Sequence, residues 1–249
     1  VWRRLGAQVT VVEYLPRITP GMDSDLATAF QRSLTKQGLS FKLGSKVTSA
    51  RAGKDGVELT VEPAAGGTAE TLKGDVVLVA IGRRPYTAGL GLETVGVAVD
   101  KRGFIVGDHF KVASFGENGG VWVIGDVTTG PMLAHKAEED AVAVIELIAG
   151  KAGHVDYNLV PSVVYTVPEV AWVGQTEDQL QAAGVAYKTG KFPFAANSRA
   201  KTNRDTDGFV KVIADAKSDR VLGVWIIGSL AGTMIAQAGQ AMEFGATSE

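Results

Sequence analysis

An apolar run, a Gly-Asp turn and a helix-like segment follow one another in the middle of this chain and constrain its fold. Residues 121–124 form the apolar run, Gly125-Asp126 follows, and residues 133–149 have the pattern of a long helix. Glycine lets a ligand approach the backbone, and the aspartate can accept hydrogen bonds from hydroxyls. The N-terminus of a helix offers unpaired N–H groups and a partial positive charge. The segment therefore predicts a site for a ribose or a phosphate.

Composition narrows the class of protein. Of the 249 residues 45% are hydrophobic and 31 are glycine, which is typical of an α/β protein rich in tight turns. The formal net charge of −2 predicts no general attraction to nucleic acid or to an anionic membrane. The apolar runs, such as residues 76–81 and 221–227, are too short to span a bilayer. With no cysteine, this chain has no disulfide, thiolate metal ligand or cysteine nucleophile.

The first half of the chain alternates strands with a helix. Helical spacing predicts a helix from Asp23 to Gln37, with Asp23 or Ser24 as N-cap and Gly38 as its stop. Residues 75–81 predict a continuous apolar strand that is buried on both faces. The other predicted strands are 8–13, 39–43, 46–51 and 57–62.

The second half changes to an α+β pattern. Residues 104–120 are irregular, and residues 150–158 resemble a linker. Helices are predicted at 177–183 and 232–244. Strands are predicted at 162–166, 170–174, 186–192, 208–214 and 220–227. Residues 1–7 indicate the end of a helix and Ser248-Glu249 the start of another, so we expect an internal piece of a longer polypeptide.

Residues 125–137 closely resemble the second flavin-binding motif of the pyridine-nucleotide disulfide oxidoreductases. The resemblance implies that Asp126 binds the ribityl chain or the adjacent phosphate region of FAD. It also implies that Met132, Leu133, Ala134 and His135 open the helix whose N-terminus faces the flavin. An ordinary turn cap for Asp126 and a packed surface histidine for His135 are the alternatives.

Residues 9–13, followed by Met22-Asp23, resemble the second strand of the NAD domain in dihydrolipoamide dehydrogenases. The resemblance implies that Glu13 binds the adenosine ribose hydroxyls and favours NAD over NADP. It implies an adenine-side contact for Val47 and a strand exit at Gly82 that lets nicotinamide approach the backbone. The alternative roles are a solvated strand end for Glu13, a core strand residue for Val47 and a simple strand stop for Gly82.

Residues 163–174 and 191–201 resemble the dimerisation domain of the same enzymes. Val167 and Trp225 stand where those enzymes usually have histidine, and residues 228–233 also depart from the usual pattern. Arg199 and Lys201 could form interfacial ion pairs or lie in a solvated loop.

The expected fold class is α/β plus α+β. We expect a partial Rossmann-like NAD domain over residues 1–85 and a central FAD-contacting segment over 86–156. An antiparallel α+β dimerisation domain is expected over 157–249. The charged residues Lys136, Glu138, Glu139 and Asp140 predict a solvated helix face with i,i+4 pairing. His109 and His154 receive no function, and no spacing of residues indicates a metal site.

The resemblance implies a homodimeric flavoprotein that oxidises protein-bound dihydrolipoyl groups with FAD and NAD as cofactors. Its partners would be the 2-oxoacid dehydrogenase complexes and the glycine cleavage system, in the mitochondrial matrix or a bacterial cytoplasm. No catalytic residue is identified in this chain, so we expect no lipoyl chemistry from it alone. The alternatives are another FAD-dependent NAD(P)H oxidoreductase and a non-catalytic dimerisation fragment.

Overall fold

The computed structural model describes residues 1–115 and 119–249 and divides the chain into two compact units. The first unit combines residues 1–79 with 161–249, and the second is residues 80–160. Residues 116–118, part of the segment predicted to be irregular, lie outside the described residues. The two segments expected to be separate NAD and dimerisation domains thus share one unit, and the predicted domain boundaries stay a prediction.

A β-α-β element opens the first unit. Strand β1 (Val9–Val12) pairs in parallel with β2 (Leu39–Lys42), and helix α1 (Ser24–Lys36) connects them. The Asp23 side chain accepts hydrogen bonds from the backbone N–H groups of Asp25 and Leu26, so Asp23 is the N-cap. The predicted helix is confirmed, as is the first of the two N-cap candidates.

An antiparallel sheet of three strands follows. Its strands are β3 (Ser45–Gly53), β4 (Gly56–Pro63) and β5 (Glu70–Gly74), in that order. Strand β5 was not predicted, because Leu72 is its one large apolar residue and no alternation is visible. Strand β5 forms because its main chain pairs with β4, and this pairing is not visible in the pattern of its side chains.

The predicted strand over residues 75–81 is wrong. The segment is not a strand, and Val76, Leu78 and Ile81 are 78%, 64% and 92% exposed. Strands β1 and β2 pair with each other, and no strand among the described residues pairs with this segment. An apolar run indicates a preference for burial. A strand in a parallel sheet also requires a neighbouring strand to pair with, and the run itself does not supply one.

The second unit contains a hairpin and a long helix. Strands β6 (Lys111–Phe115) and β7 (Gly119–Trp122) are antiparallel, and α2 (Ala134–Ile148) follows a turn that starts at Gly125. Strand β7 thus begins two residues before the apolar run predicted over 121–124 and ends two residues before its limit at Ile124. Val97, Ile105 and Val123 form a small buried cluster beside this turn.

A five-stranded antiparallel sheet completes the first unit. Its strand order is β10-β11-β12-β9-β8, and α5 packs on β9 and β12. The elements are β8 (Ser162–Val164), β9 (Glu169–Gly174), α3 (Glu177–Ala182), β10 (Tyr187–Pro193), α4 (Ser198–Thr202), β11 (Phe209–Asp215), β12 (Val221–Gly228) and α5 (Ala231–Glu243). The predicted strands and both predicted helices of this region are present, whereas the short α4 was not predicted.

One apolar core joins the β-α-β element to this sheet. Leu26 and Phe30 of α1 belong to the same buried cluster as Ile213 and Ile227 of the sheet. Trp225 is also in the cluster and stacks on its cross-strand partner Trp172, with ring centroids 5.9 Å apart. The apolar stripe of α1 is therefore buried against β11 and β12 rather than against its own parallel strands alone.

A buried charge network lies at the edge of this core. The Lys211 ammonium, 2% exposed, is 3.0 Å from Asp23, 3.2 Å from Asp25 and in contact with Glu177. Burial lowers the pKa of Lys211, but the hydrogen bonds with Glu177 and Asp23 outweigh it and raise that pKa. The network therefore holds the first turns of α1 and α3 against β11 through one paired cation.

We predict that Lys211→Met strongly destabilises the protein. The substitution leaves the buried Asp23 carboxylate without its cation, which costs about 3–5 kcal/mol for a buried ion pair. Thermal unfolding of the intact protein should show a clearly lowered midpoint. Lys191→Met is the matched control, because Lys191 is half exposed and only 3.6 Å from Asp25. Equal midpoints for the two variants would contradict the importance of the network.

Candidate functional site

The Gly125-Asp126 turn connects β7 to α2. Gly125 has a φ of 74°, a conformation that glycine adopts without strain, and residues Gly125–Val127 form one short 3₁₀ turn. Gly125 is buried, whereas the Asp126 side chain is 49% exposed. The strand, turn and helix predicted from the sequence are therefore present, and the aspartate carboxylate is accessible to a ligand.

The turn is fixed from one side by residue 105. The N–H of Ile105 donates to the carbonyl of Val127, and the hydroxyl of Thr128 donates to the carbonyl of Ile105, both at 2.9 Å. Ile105 is itself buried beside Val123. These contacts were not predicted, because residues 104–120 show no clear periodicity.

Helix α2 begins immediately after the turn region without a capping side chain. Leu133 is its N-cap residue and forms no side-chain cap bond, and the first turn contains no acidic residue. The positive end of the helix dipole is therefore not neutralised by the helix's own side chains. Met132 and Leu133 are half-buried, whereas Ala134 and His135 are exposed.

Arg83 contacts both the Gly125-Asp126 turn and the segment that leads into α2. Its guanidinium lies 3.9 Å from the Asp126 carboxylate and also donates to the backbone carbonyl of Met132. Arg83 was not among the predicted site residues. The consecutive arginines before Pro85 were the available signal, because a guanidinium suits phosphate and carboxylate groups.

The helix face predicted to be solvated is buried at two of its four residues. The side chains of Lys136 and Asp140 are both 0% exposed and form an ion pair of 2.7 Å, whereas Glu138 and Glu139 are exposed. The prediction is wrong for the buried pair, which shares the buried helix stripe with Ala143 and Val144. That helical spacing was visible in the sequence, but charge was given more weight than position.

This buried pair contacts the turn itself. The Lys136 ammonium donates to the carbonyl of Gly125, and the Gly125 N–H donates to the Asp140 carboxylate, both at 3.0 Å. The hydroxyl of Tyr157 donates to the other carboxylate oxygen at 2.9 Å. Burial, together with the hydrogen bond to Asp140 and its charge, raises the pKa of Tyr157.

The predicted NAD-side residues Glu13 and Val47 both lie in the first unit. Glu13 follows β1 directly, and one of its carboxylate oxygens accepts from the N–H of Leu15 at 2.8 Å. The backbone N–H of Ser45, at the start of β3, donates to the carbonyl of Glu13. Val47 lies further along β3 and is 46% exposed, so its alternative role as a core residue is wrong.

Gly82 lies in the second unit. It is exposed, has a φ of 105°, and no atom lies within 4 Å of where a Cβ would stand. Arg199 and Lys201, the residues considered for interfacial ion pairs, are in α4 and are exposed. The binding roles of Glu13, Val47, Gly82, Asp126 and Met132 to His135 stay predictions.

Over residues 1–115 and 119–249, no group of three or more His, Cys, Asp or Glu residues could hold a metal ion. No helix in the same ranges is sufficiently long and apolar to cross a membrane.

We predict that Gly130→Ala destabilises the loop beside the buried pair. A Cβ at Gly130 would lie 2.9 Å from Lys136 Cε and 2.9 Å from the Tyr157 ring, and the residue has a φ of 101°. Strain of this kind costs about 1–3 kcal/mol, and the midpoint of thermal unfolding should fall. Gly89→Ala is the control, since Gly89 also has positive φ but nothing lies within 4 Å. A midpoint no lower than that of the control would show that packing at Gly130 is unimportant.

Family models match both parts of the chain. Residues 1–141 match the pyridine nucleotide-disulphide oxidoreductase model, and residues 160–249 match the dimerisation domain of the same family. Dihydrolipoyl dehydrogenase 3 of Pseudomonas putida is 62% identical over 100% of this chain and 53% of its own length. Dihydrolipoamide dehydrogenase of Chaetomium thermophilum is 56% identical over 100% of this chain and 49% of its own length. The chain thus spans about half the length of the curated relatives it matches.

Solved structures show the same fold. LpdA from Mycobacterium tuberculosis matches with a TM-score of 0.87 at 27% identity, over 99% of this chain and 52% of that chain. The flavoprotein disulfide reductase RclA from Escherichia coli matches with a TM-score of 0.84 at 29% identity, over 99% and 55%. The expected fold class is confirmed by these neighbours and by the two family models.

Proposed function

The chain belongs to the pyridine nucleotide-disulphide oxidoreductase family, and we propose that it serves in a dihydrolipoyl dehydrogenase with FAD and NAD as cofactors. Relatives that carry this enzyme name align with the whole chain at 62% and 56% identity. The observation that carries the proposal is the exposed Asp126 carboxylate in a glycine turn, beside the uncapped N-terminus of α2.

This arrangement fits the chemistry of FAD. The Asp126 carboxylate can accept hydrogen bonds from the ribityl hydroxyls, while the N-terminus of α2 and the Arg83 guanidinium provide positive potential for the diphosphate. Met132, Leu133, Ala134 and His135 form the segment that faces the flavin in this proposal. FAD, when bound, supplies the electron transfer between the dithiol and the nicotinamide.

The NAD proposal depends on Glu13, Val47 and Gly82. Glu13 stands at the carboxyl end of β1, where an acid accepts hydrogen bonds from ribose hydroxyls and disfavours a 2′-phosphate. Arg17, the nearest basic residue downstream, is directed elsewhere: it pairs with Asp178 at 3.1 Å and donates to the carbonyl of Pro20. This engagement of Arg17 favours NAD over NADP.

Exposed apolar residues support a homodimer. Tyr165, Leu230 and Phe244, all within the region that matches the dimerisation domain, are 82%, 60% and 82% exposed. Apolar and aromatic residues of this kind are typical of interface cores. We propose lipoyl domains of 2-oxoacid dehydrogenase complexes and of the glycine cleavage system as the protein partners of the dimer.

We propose a bacterial cytoplasm rather than the mitochondrial matrix as the location. Relatives from Pseudomonas putida and Pseudomonas aeruginosa are 62% and 59% identical, whereas mitochondrial relatives from Caenorhabditis elegans and Pisum sativum are 55% and 52% identical.

We predict that Asp126→Ala weakens FAD binding by the intact gene product. Loss of a charged acceptor costs about 1.5–3 kcal/mol, which corresponds to roughly tenfold to a hundredfold in the dissociation constant. The measurement is a titration of flavin-depleted protein with FAD, followed by flavin fluorescence. Asp108→Ala is the control, because Asp108 is in the same unit and its side chain is 95% exposed. An unchanged dissociation constant in Asp126→Ala would remove Asp126 from the flavin site.

The enzyme activity is tested on the intact gene product with NADH and lipoamide. We predict turnover that depends on FAD, strong preference for NADH over NADPH, and no turnover by the isolated 249-residue chain, which contains no cysteine. NADH oxidation that proceeds without a disulfide substrate would instead favour another FAD-dependent oxidoreductase. A protein that binds neither cofactor would favour the non-catalytic dimerisation fragment.

A further inference from the structure

The backbone of Gly125 is held by two buried side chains of opposite charge. Its carbonyl accepts from the Lys136 ammonium and its N–H donates to the Asp140 carboxylate, both at 3.0 Å. These bonds involve two consecutive peptide units, since the N–H belongs to the peptide before Gly125 and the carbonyl to the peptide after it. Neither peptide can rotate without breaking a charge-assisted hydrogen bond in a buried place.

Tyr157 completes the arrangement from outside α2. Its hydroxyl donates to Asp140 at 2.9 Å, and the Lys136 ammonium lies 4.9 Å from the centroid of its ring. Burial, then the hydrogen bond and the charge of Asp140, raise the pKa of Tyr157, so the hydroxyl keeps its proton at neutral pH. Within the described ranges, no buried side-chain nitrogen or oxygen lacks a partner, so the arrangement is fully satisfied.

The attraction between Lys136 and Asp140 does not by itself explain why charges stand at these positions. Two apolar residues of similar volume in a helix stripe are often as stabilising as a buried ion pair, or more so. What an apolar pair cannot do is bond the N–H and the carbonyl of Gly125 at the same time. The charged pair therefore contributes a defined geometry of the turn, and the residue whose position follows from that geometry is the next one, Asp126.

We propose that Lys136, Asp140 and Tyr157 are positioning residues for flavin binding, which lock the Gly125 peptides and thereby fix the Asp126 carboxylate. The proposal rests on the proposed role of Asp126 in the flavin site. Glycine at position 125, with φ at 74°, has the widest conformational freedom of any residue, and without the lock its carbonyl keeps only the longer bond from the Thr128 N–H, at 3.3 Å. The lock removes that freedom before the ligand arrives, which raises affinity through preorganisation.

The main test is the double variant Lys136→Met/Asp140→Leu in the intact gene product. It removes both charges together and leaves no unpaired ion. The Gly125 N–H and the Tyr157 hydroxyl lose their acceptor, at about 1–3 kcal/mol each, so we expect a folded protein with a lowered midpoint of thermal unfolding. The dissociation constant for FAD should rise by about tenfold, as expected when a charge-assisted hydrogen bond to the ligand is misplaced. Glu139→Gln is the control on the exposed face of the same helix and should leave FAD binding unchanged.

A double-mutant cycle with Asp126→Ala separates positioning from a general structural effect. If the lock acts through Asp126, the Lys136→Met/Asp140→Leu pair has little further effect on FAD binding once Asp126 is alanine. Full additivity of the two effects, or wild-type FAD binding by the Lys136→Met/Asp140→Leu variant, would overturn the positioning role while leaving the role of Asp126 intact. An Asp126→Ala variant that binds FAD normally would overturn the proposed flavin role and this inference with it.

Tyr157→Phe provides a second measurement if the main variant does not fold. It keeps the ring over Lys136 and removes only the hydrogen bond to Asp140. We expect a rise of a few fold in the FAD dissociation constant, and no further rise when Tyr157→Phe is combined with Asp126→Ala. An effect that is equal with and without Asp126 would contradict the proposal.

Discussion

A buried ammonium must be paired with carboxylates or carbonyl groups, and this constraint sets the geometry of each unit of the chain. In the first unit Lys211 is paired with three carboxylates from the starts of α1 and α3. In the second unit Lys136 is paired with Asp140 and with the carbonyl of Gly125. Apolar side chains can shift slightly against each other, whereas each of these charged hydrogen bonds requires a defined distance and direction between its two groups.

The two buried cations, Lys211 and Lys136, stabilise different kinds of structure. The Lys211 network holds the β-α-β element on the antiparallel sheet, so residues that are far apart in sequence share one apolar core. The Lys136 pair holds the turn at Gly125, and the exposed Asp126 carboxylate follows Gly125 directly. The Lys211 network thus stabilises a core, whereas the Lys136 pair places rigid buried groups beneath the exposed residue for which the flavin role is proposed.

Local signals in the sequence predicted local structure well. The cap at Asp23, the helix α1, the Gly125-Asp126 turn and the helix α2 all depend on neighbouring residues, and all are present. The errors concern features that depend on a distant partner. Residues 75–81 have the apolar pattern of a strand but no described strand beside them, and β5 has a partner but little pattern. The burial of Lys136 and Asp140 was missed because their charge was given more weight than their position in the helical stripe, and their bonds to the Gly125 backbone leave no side-chain pattern.

The central claim is that the Gly125-Asp126 turn of this family member holds the flavin, and a crystal structure of the intact gene product with bound FAD tests it most directly. The decisive quantity is the distance from the Asp126 carboxylate to the ribityl hydroxyls of FAD. We expect a hydrogen bond there, at about 2.5–3.0 Å, with the N-terminus of α2 facing the cofactor. A flavin that is bound elsewhere, with no polar contact to Asp126, would contradict the account.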